Sequence, residues 1–457
     1  MQEFVKIPKA EYEALLKKVS ELQDIVQTLT EQLAERNKSH EKLESELNQL
    51  KRKPYQRTHT KKEGGKKPRG RKKGHLGSGR KTPKRIDKTV RIEAGSQCPD
   101  CGTSFSSTNV ERKRTIIDIE PIRPTINTQY VIERGWCAKC RIYHESPVTD
   151  ALPRRRFGFQ LMLFVVYQKV ALGLSYGKIQ EELERYFGLT ISKGQLSNIV
   201  TDVSKLFGAS YADLVRIMRM QKGLYVDETG WKVDGDNHWL WVFVNNVVTL
   251  FVLSKSRGSK VPKALLGSEF EGTVMSDFFS AYSPLEVDKA KCWAHLLRET
   301  HQFTEGRPPP DPGSEPVKFH NELHDLYWAM GLALLEIEAD PDRREQVHAN
   351  MRNKLSEFAD KAWEDADCIR LAKRINKHLD ELVVWLINPE IDSDNNIAER
   401  ALRPAVVTRK TSFGSRSKAG AHAFARMLSV IMSWRQQDVD FFEQGQQVLY
   451  EAACSQN

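Results

Sequence analysis

The stretch KGLYVDET at residues 222–229 predicts a short apolar strand that ends at an aspartate, Asp227. A second such strand, GTVMSDF at residues 272–278, ends at Asp277, and a further acidic residue, Glu399, follows in DNNIAER. Carboxylates gathered from distant strands and a helix are the ligands that a pair of divalent metal ions uses in phosphodiester chemistry. We therefore expect these three side chains to converge on one site.

The residues around the two aspartates predict a mixed fold. Three strand-like runs rich in Val, Leu, Trp and Phe predict an antiparallel meander, and a helix precedes the strand that ends at Asp277. The runs are LYVDE (224–228), HWLWVFVNN (238–246) and VVTLFVLS (247–254), and the helix is RGSKVPKALLG (257–267). This order is that of a ribonuclease-H-like core, with one carboxylate on the first strand and another just after the fourth. The predicted fold class is multidomain α/β with a ribonuclease-H-like catalytic core and a helical insertion.

Spacing alone leaves the third carboxylate open. Glu399 lies in the first turns of a helix that starts in DSDNNIAERALRP (392–404), where Asp and Asn are good helix caps. The alternative for Glu399 is an ordinary ion pair on the helix surface with Arg403, four residues further on. Asp392 and Asp394 are rival ligands. Any of these sets suits Mg²⁺ (or Mn²⁺), a hard cation that prefers oxygen ligands and keeps several waters.

The charge of the chain is concentrated in one segment. Residues 51–85 contain 16 Lys or Arg and one acid, Glu63, so their net charge is +15. The net charge of the whole chain is +10, and the rest of the chain is therefore near −5. With hardly a hydrophobic residue, the segment is expected to be disordered alone and to bind the phosphate backbone of DNA. A solvated linker is the alternative. The predicted DNA contacts are Lys66, Lys67, Arg69, Arg71, Lys72 and Lys73.

Four of the seven cysteines form two CxxC pairs, CPDCG at 98–102 and CAKC at 137–140. Two such turns joined by strand-like runs predict a tetrahedral structural Zn²⁺ site in a small β domain. The predicted ligands are Cys98, Cys101, Cys137 and Cys140. A redox pair or unrelated cysteines are the alternative. Cysteines spaced as metal ligands, and not as a disulfide framework, favour a reducing cytoplasm. Because its expected partner is DNA, the protein is expected at the nucleoid.

Two further segments predict helices, the first for pairing with a second copy of the chain and the second for contact with DNA. Residues 12–50 carry a heptad with Val and Leu at its seam, failing at Arg36 and His40, which predicts a parallel two-stranded coiled coil or, alternatively, a helix docked on its own protein. Residues 157–208 predict three helices, the second ending at Gly188 and the third capped by Ser192. This pattern is typical of a helix-turn-helix module, and equally of plain helix packing. The predicted base contacts are Lys193, Gln195 and Asn198.

No stretch of 18 or more apolar residues predicts a membrane span, and the N-terminal residues lack a secretory pattern. At 457 residues, two to four domains are expected. The predicted organisation is a coiled-coil helix (1–52), a basic segment (53–93), a zinc-binding domain (94–150), a helix-turn-helix-like domain (155–215), a catalytic core in two parts (220–300 and 389–435) around a helical insertion (301–388), and a C-terminal tail (436–457).

Several blocks of the sequence together resemble the transposases of the IS66 insertion-sequence family. The blocks are YVDETGW (225–231), HWLWVF (238–243), SDFFSAY (276–282), KCWAHLLRE (291–299), DNNIAERALRP (394–404) and RKTSFGSRSKAGA (409–421). The similarity covers nearly the whole chain. It implies a DDE transposase that uses divalent metal to hydrolyse phosphodiesters at transposon ends and then joins the freed 3′-OH to target DNA.

The resemblance also implies roles for individual residues. The acidic triad falls on Asp227, Asp277 and Glu399, which favours Glu399 over its rivals. Cys292 and His295 resemble a CxxH motif between the second and third acids, and a structural role near the site is expected for them. Residues expected to support the site or contact phosphate are Asn396, Arg400, Arg403 and Lys410.

The expected partners are transposon-end and target DNA, a second or further copy of this chain, and accessory transposition proteins. Two other functions remain open from the residues. One is a nuclease or junction resolvase built on the same core, and the other is a non-catalytic DNA-binding regulator that uses the zinc domain and the coil. Appended DNA-binding segments favour the transposase.

Overall fold

The computed structural model describes residues 89, 103–104, 125–132, 134–139, 141–145, 148, 150–305, 310–336 and 341–455. The chain divides into two compact units, 1–116 and 117–457, and nearly all of the described residues belong to the second. The predicted coiled coil and the basic segment with its six DNA contacts lie outside the described residues, apart from Thr89. So do the zinc ligands Cys98, Cys101 and Cys140 and the side chain of Cys137.

A short hairpin precedes the main body of the fold. Strand β1 (Arg134–Cys137) pairs antiparallel with β2 (Ile142–Glu145). Cys137, the first cysteine of the second CxxC pair, is therefore the last residue of β1, and Ala138 and Lys139 lie in the turn that follows. The strand-like runs expected between the two CxxC pairs include TQYVIERGW (128–136), of which residues 134–136 form a strand, whereas residues 128–132 have no regular structure.

Four helices follow, α1 (Phe159–Val170), α2 (Tyr176–Phe187), α3 (Lys193–Leu206) and α4 (Gly208–Arg219). The Ser175 hydroxyl accepts the N–H of Lys178 at the start of α2, and α2 ends at Gly188 in the left-handed region, with φ of 62°. Ser192 accepts the N–H of Gln195 in the same way at the start of α3. These are the boundaries that the predicted caps indicate.

A five-stranded sheet forms the centre of the fold. Its strands are β3 (Gly223–Val233), β4 (Asp236–Val244), β5 (Thr249–Ser254), β6 (Thr273–Ser276) and β7 (Asp288–Lys291), in the order β5-β4-β3-β6-β7. The first three strands pair antiparallel, while β6 pairs parallel with both β3 and β7. Helix α5 (Lys260–Leu266) connects β5 to β6. The predicted meander, helix and following strand are all present.

The structure corrects two details of the sheet. Asp227 does not end its strand, because β3 continues to Val233 and turns into β4 through Asp234 and Gly235, whose φ angles are 51° and 86°. What ends near Asp227 is the parallel pairing, since β3 pairs with β6 only as far as Tyr225. The second correction is β7, a short lysine-containing strand that the apolar pattern did not reveal.

Helices make up the part of the fold that follows β7. After β7 come α6 (Trp293–His301), α7 (Glu315–Glu336), α8 (Pro341–Ala359), α9 (Ala366–Lys377) and α10 (Leu379–Val383), followed by α11 (Asn396–Ser412), α12 (Lys418–Gln436) and α13 (Phe441–Ser455). The predicted C-terminal tail thus contains a helix, which packs through Phe441 on Phe207 and Trp434. No helix among the described residues is both long and apolar enough to cross a bilayer.

Helix α12 packs along the edge strand β5 and satisfies part of its backbone. The Ser429 hydroxyl accepts the N–H of Phe251 at 2.7 Å. Ser433 accepts the N–H of Thr249 at 2.9 Å and donates to the carbonyl of the same residue at 3.0 Å. Buried backbone groups without partners cost about 1–3 kcal/mol each, so these two serines fix the helix against the sheet.

Hydrogen bonds join the junction between α11 and α12 to the end of β3. Ser415 donates its N–H to the Lys232 carbonyl and accepts the N–H of Asp234, both at 2.8 Å. The Trp231 indole donates to the Ser415 hydroxyl at 3.1 Å. Gly414 makes this approach possible, because its φ is 107° and an added Cβ would lie 2.2 Å from the Lys232 carbonyl oxygen.

We expect Gly414→Ala to lower the free energy of unfolding by about 1–3 kcal/mol, since Ala is strained at positive φ and its Cβ clashes with backbone. Thermal denaturation of the purified variants measures the effect. Gly208→Ala is the matched control, because its added Cβ meets nothing within 4 Å and Ala favours the helix. Equal melting temperatures for the two variants would contradict the role given to Gly414.

Candidate active site

Asp227 and Asp277 lie at corresponding positions along two neighbouring parallel segments. Tyr225 of β3 is paired in register with Met275 of β6, and each aspartate lies two residues further along the chain, Asp227 within β3 and Asp277 directly after β6. Because side chains alternate between faces with a period of two, both carboxylates project from the same face of the sheet. Neighbouring strands are about 4.8 Å apart, so the two carboxylates are adjacent.

The environment of Asp227 opposes its negative charge. Burial, together with the nearby charges of Glu228, Asp277 and Glu399, raises the pKa of its carboxyl from the ordinary 3.8 to about 7, although the hydrogen bond from the N–H of Glu228 opposes this rise. That N–H donates to Asp227 Oδ1 at 2.8 Å. The Asp277 carboxylate accepts the N–H of Phe279 at 2.9 Å. The cluster is therefore one in which a cation would relieve repulsion between carboxylates.

Glu399 lies in the first turn of α11, as predicted, close enough for its charge to act on Asp227. Its Oε1 lies 3.8 Å from Nε2 of His295 and 3.9 Å from Nη2 of Arg298. The carboxylate is thus engaged with α6. Within the part of the chain that the structure describes, no three His, Cys, Asp or Glu side chains converge closely enough to hold a metal ion.

The rival acids have other roles in the structure. Asp394 accepts the backbone N–H of Asn396 at 2.9 Å and its side-chain amide at 2.6 Å, so its carboxylate is bonded to the first residue of α11. Asp392 is exposed, and its N–H donates to the Tyr225 hydroxyl at 2.6 Å. Of the three candidates for the third carboxylate, Glu399 is the one whose charge acts on Asp227.

Asn395 holds α11 against the sheet. Its side-chain amide donates to the carbonyl of Val226, the residue before Asp227, at 2.9 Å. Its backbone N–H donates to Sγ of Cys292 at 3.1 Å. The neighbouring carbonyl of Ser393 accepts the N–H of Trp293 at 2.9 Å. Residues from β3, from the start of α6 and from the start of α11 are thus joined at one buried point.

Cys292 and His295 lie at the start of α6 and face this junction. Cys292 is fully buried, and burial raises the pKa of its thiol to about 11, so it stays protonated near neutral pH and is a poor metal ligand. Its sulfur instead accepts the N–H of Asn395. His295 directs Nε2 toward Glu399, while its buried Nδ1 has no hydrogen-bond partner among the described residues.

Lys291 is hydrogen-bonded to the backbone of Asp277 and was not among the site residues predicted from the sequence. Its ammonium group is 1% exposed, donates to the Asp277 carbonyl at 2.9 Å, and lies 3.8 Å from the Glu381 carboxylate. Burial lowers the pKa of this ammonium group. A lysine within a four-residue strand gives no pattern from which this role could be read.

A second polar cluster on the opposite face of β3 was also missed. The Glu228 carboxylate is 2% exposed, pairs with Arg257 at 2.9 Å, and accepts a hydrogen bond from the Tyr282 hydroxyl. Burial raises the pKa of Tyr282 well above its ordinary value. The Arg257 guanidinium stacks on Phe279 at 4.0 Å. This cluster fixes the loop that follows Asp277.

The predicted DNA contacts of the described region are accessible in most cases. Lys193 and Asn198 are exposed at the start of α3, whereas Gln195 is half-buried. Along α11, the exposed basic residues are Arg400, Arg403 and Lys410. Asn396 is occupied by its hydrogen bonds to Asp394.

Comparison with known proteins gives one family and several relatives. Residues 154–423 match the family described as "Transposase IS66 family". Three relatives come from Sinorhizobium fredii. "Uncharacterized protein y4hP" is 22% identical over 77% of this chain and 69% of its own length, "Uncharacterized protein y4jD" is 23% identical over 77% and 74%, and "Uncharacterized protein y4qI" is 24% identical over 44% and 41%.

We expect the stability cost of ionising Asp227 to depend on pH. Its folded-state pKa is raised, so its stabilising contribution is full below about pH 4 and is lost as pH rises through about 7. Asp227→Asn removes this loss, and its melting temperature relative to wild type, measured in EDTA, should therefore increase from pH 5 to pH 8. Asp392→Asn, on the exposed loop, is the control. Parallel pH curves for wild type and Asp227→Asn would rule out the raised pKa.

We expect Asn395→Ala to lower the free energy of unfolding by about 1–3 kcal/mol, because the Val226 carbonyl loses its donor in a buried site. Urea denaturation measures this change. Asn246→Ala, at an exposed position in the β4–β5 turn, should leave the midpoint unchanged. A loss of equal size in both variants would show that the buried contact is not its cause.

Proposed function

The chain belongs to the IS66 family of transposases, a family of nucleic-acid-processing proteins, and we propose that it is the DDE-type enzyme of its insertion sequence. It cleaves DNA at the transposon ends and joins the freed 3′ ends to target DNA. The observation that carries this proposal is the placement of Asp227 on β3 and of Asp277 directly after the parallel strand β6, two residues beyond the paired Tyr225 and Met275, with the charge of Glu399 acting on Asp227.

The sheet supports a ribonuclease-H-like core. The order β5-β4-β3-β6-β7, with an antiparallel half and a parallel half, is the one expected for that fold. Its first carboxylate lies on the first strand of the sheet and its second directly follows the fourth. The helices between α6 and α10 are then an insertion between the second acid and the third, as the sequence analysis expects.

The donor set fits Mg²⁺ (or Mn²⁺), since three carboxylates supply the oxygen ligands that these cations prefer. Asp227, Asp277 and Glu399 would hold the metal, which when bound would activate the attacking oxygen and stabilise the leaving one. Asp227 must first give up its proton, which its raised pKa makes harder near neutral pH. Glu399, whose carboxylate lies 3.8 Å from His295 and 3.9 Å from Arg298 without a hydrogen bond to either, would turn toward the two aspartates.

Two displacements at phosphorus make up the proposed reaction. In the first, water attacks the phosphodiester at the transposon end, the bond to the 3′ oxygen breaks, and that oxygen leaves as a 3′-OH. In the second, this 3′-OH attacks a phosphodiester of target DNA, so one bond forms as another breaks. Neither step requires a covalent bond to the protein, and no nucleophilic side chain is needed.

The remaining parts of the chain have proposed binding roles. We propose that the coiled-coil segment joins protomers into a dimer or larger assembly and that the basic segment binds DNA without regard to sequence. A structural Zn²⁺ ion held by Cys98, Cys101, Cys137 and Cys140 is supported by the β1–β2 hairpin around the second CxxC pair. Exposed Lys193 and Asn198 on α3 support recognition of terminal repeats by the helical domain.

We expect Asp277→Asn to abolish strand cleavage and joining while leaving DNA affinity within about threefold, because it removes a metal ligand but no DNA contact. The assay follows a labelled transposon-end duplex with supercoiled target in Mg²⁺. Asp392→Asn is the control and should remain active.

Each alternative has its own outcome in this assay. Cleavage that never joins a 3′ end to target would indicate a nuclease. Tight DNA binding by wild type, with no cleavage under any divalent metal, would indicate a regulator and would remove the proposed enzyme.

A further inference from the structure

Phe413 combines two costly features at one position. Its side chain is 83% exposed, and its φ of 58° places a bulky residue in the left-handed region. Such outliers persist where the surrounding structure imposes them, and they are concentrated at functional sites. Gly and Asn adopt this conformation more easily, so a Phe here calls for a reason other than folding.

The loop around Phe413 is rigid. The N–H of Phe413 donates to the Arg409 carbonyl at 2.8 Å, which closes the last turn of α11. Ser415, two residues on, is hydrogen-bonded to Lys232 and Asp234 of the β3–β4 hairpin, and Gly414 lies against the Lys232 carbonyl. The ring is thus presented to solvent on a fixed backbone, which lowers the entropic cost of binding something to it.

The surface beside the ring is basic. Lys410, Arg416 and Lys418 are exposed and have no ion-pair partner within the residues that the structure describes. An aromatic face flanked by unpaired cations is the combination with which proteins bind nucleic acid strands, since the cations attract phosphates and the ring stacks on bases. An acidic protein surface would use the charges but not the ring.

The distance from Phe413 to the acidic cluster can be estimated along two elements. Helix α11 runs continuously through Pro404, and from Glu399 to Phe413 it rises about 21 Å. Strand β3 runs from Asp227 to Val233, which is bridged to Ser415, over about 20 Å. Viewed along the axis of α11, Arg403 and Lys410 lie within about 40° of Glu399, so they are on the face of the helix that leads from Glu399 toward Phe413.

We propose that Phe413 stacks on a nucleobase of bound DNA, opening one base step roughly six base pairs from the cleaved phosphodiester. The spacing follows from about 3.4 Å of rise per nucleotide in B-form DNA. Arg403 and Lys410 hold the intervening phosphates, and the ring acts as an apolar wedge of the kind that kinks a duplex. The inference rests on the proposed function only for where the cleaved phosphodiester lies.

The experiment uses the full chain in EDTA and duplexes of the insertion sequence's own terminal repeat, with 2-aminopurine moved one position at a time from the cleavage site. Wild type should change the 2-aminopurine fluorescence at one position near the sixth base pair. Phe413→Asn keeps the left-handed backbone and removes the ring, so it should lose this signal and weaken Kd about 5- to 100-fold. Phe413→Trp should restore both, and Val407→Ala, 52% exposed on the same helix, should change neither.

The outcomes separate this inference from the proposed function. A signal that Phe413→Asn leaves intact, in an enzyme that cleaves in Mg²⁺, overturns the inference and keeps the function. A Phe413-dependent signal without cleavage supports the inference and overturns the function. A chain that binds no terminal-repeat duplex overturns both. Thermal denaturation of Phe413→Asn must match wild type, and a lowered melting temperature together with loss of the Phe413→Trp rescue counts against the inference.

Discussion

Asn395 joins the start of α11 to the strand that carries Asp227 and to the start of α6. Its side-chain amide donates to the carbonyl of Val226, and its backbone N–H donates to Cys292. Because it directly precedes α11, these two bonds determine where the first turn of that helix, and hence Glu399, lies relative to the sheet. The register of β3 with β6 then places Asp277 beside Asp227. A cluster assembled from positions so far apart in sequence depends on such buried contacts, since nothing local holds it together.

The two faces of β3 treat their carboxylates differently, although Asp227 and Glu228 are consecutive. Burial raises the pKa of Glu228, but its partners Arg257 and Tyr282 oppose that rise, and the cluster holds a loop. For Asp227, burial and then the neighbouring carboxylates raise the pKa to about 7. Strongly shifted pKa values of this kind are common at functional sites. Alternation along one strand therefore places an ion-paired carboxylate and a carboxylate among other carboxylates on opposite faces.

The sequence predicted those parts of the site that follow from short-range rules. Asp227 and Asp277 stand next to apolar runs, and Ser175, Gly188 and Ser192 mark helix ends by their own chemistry. What was missed depends on tertiary contacts. Lys291 is buried because the Asp277 carbonyl and Glu381 lie near its ammonium group, and strand β7 contains too few residues for a periodic pattern. The extension of β3 past Asp227 was missed because residues 227–230 are Asp, Glu, Thr and Gly, which contain no apolar side chain to continue the strand pattern. The zinc ligands and the coiled coil lie outside the described residues, and both remain predictions.

The hydroxyls of Ser429 and Ser433 have a consequence for how copies of this protein can meet. By occupying backbone groups of β5, they close the outer rim of the sheet, where a strand from another molecule would otherwise add on. Helix α10 lies against β7 at the opposite rim, with Glu381 near Lys291. Strand addition at either rim of the five-stranded sheet is thereby opposed, which protects this part of the chain from edge-to-edge aggregation. Any contact between two copies of it would then use helices or loops.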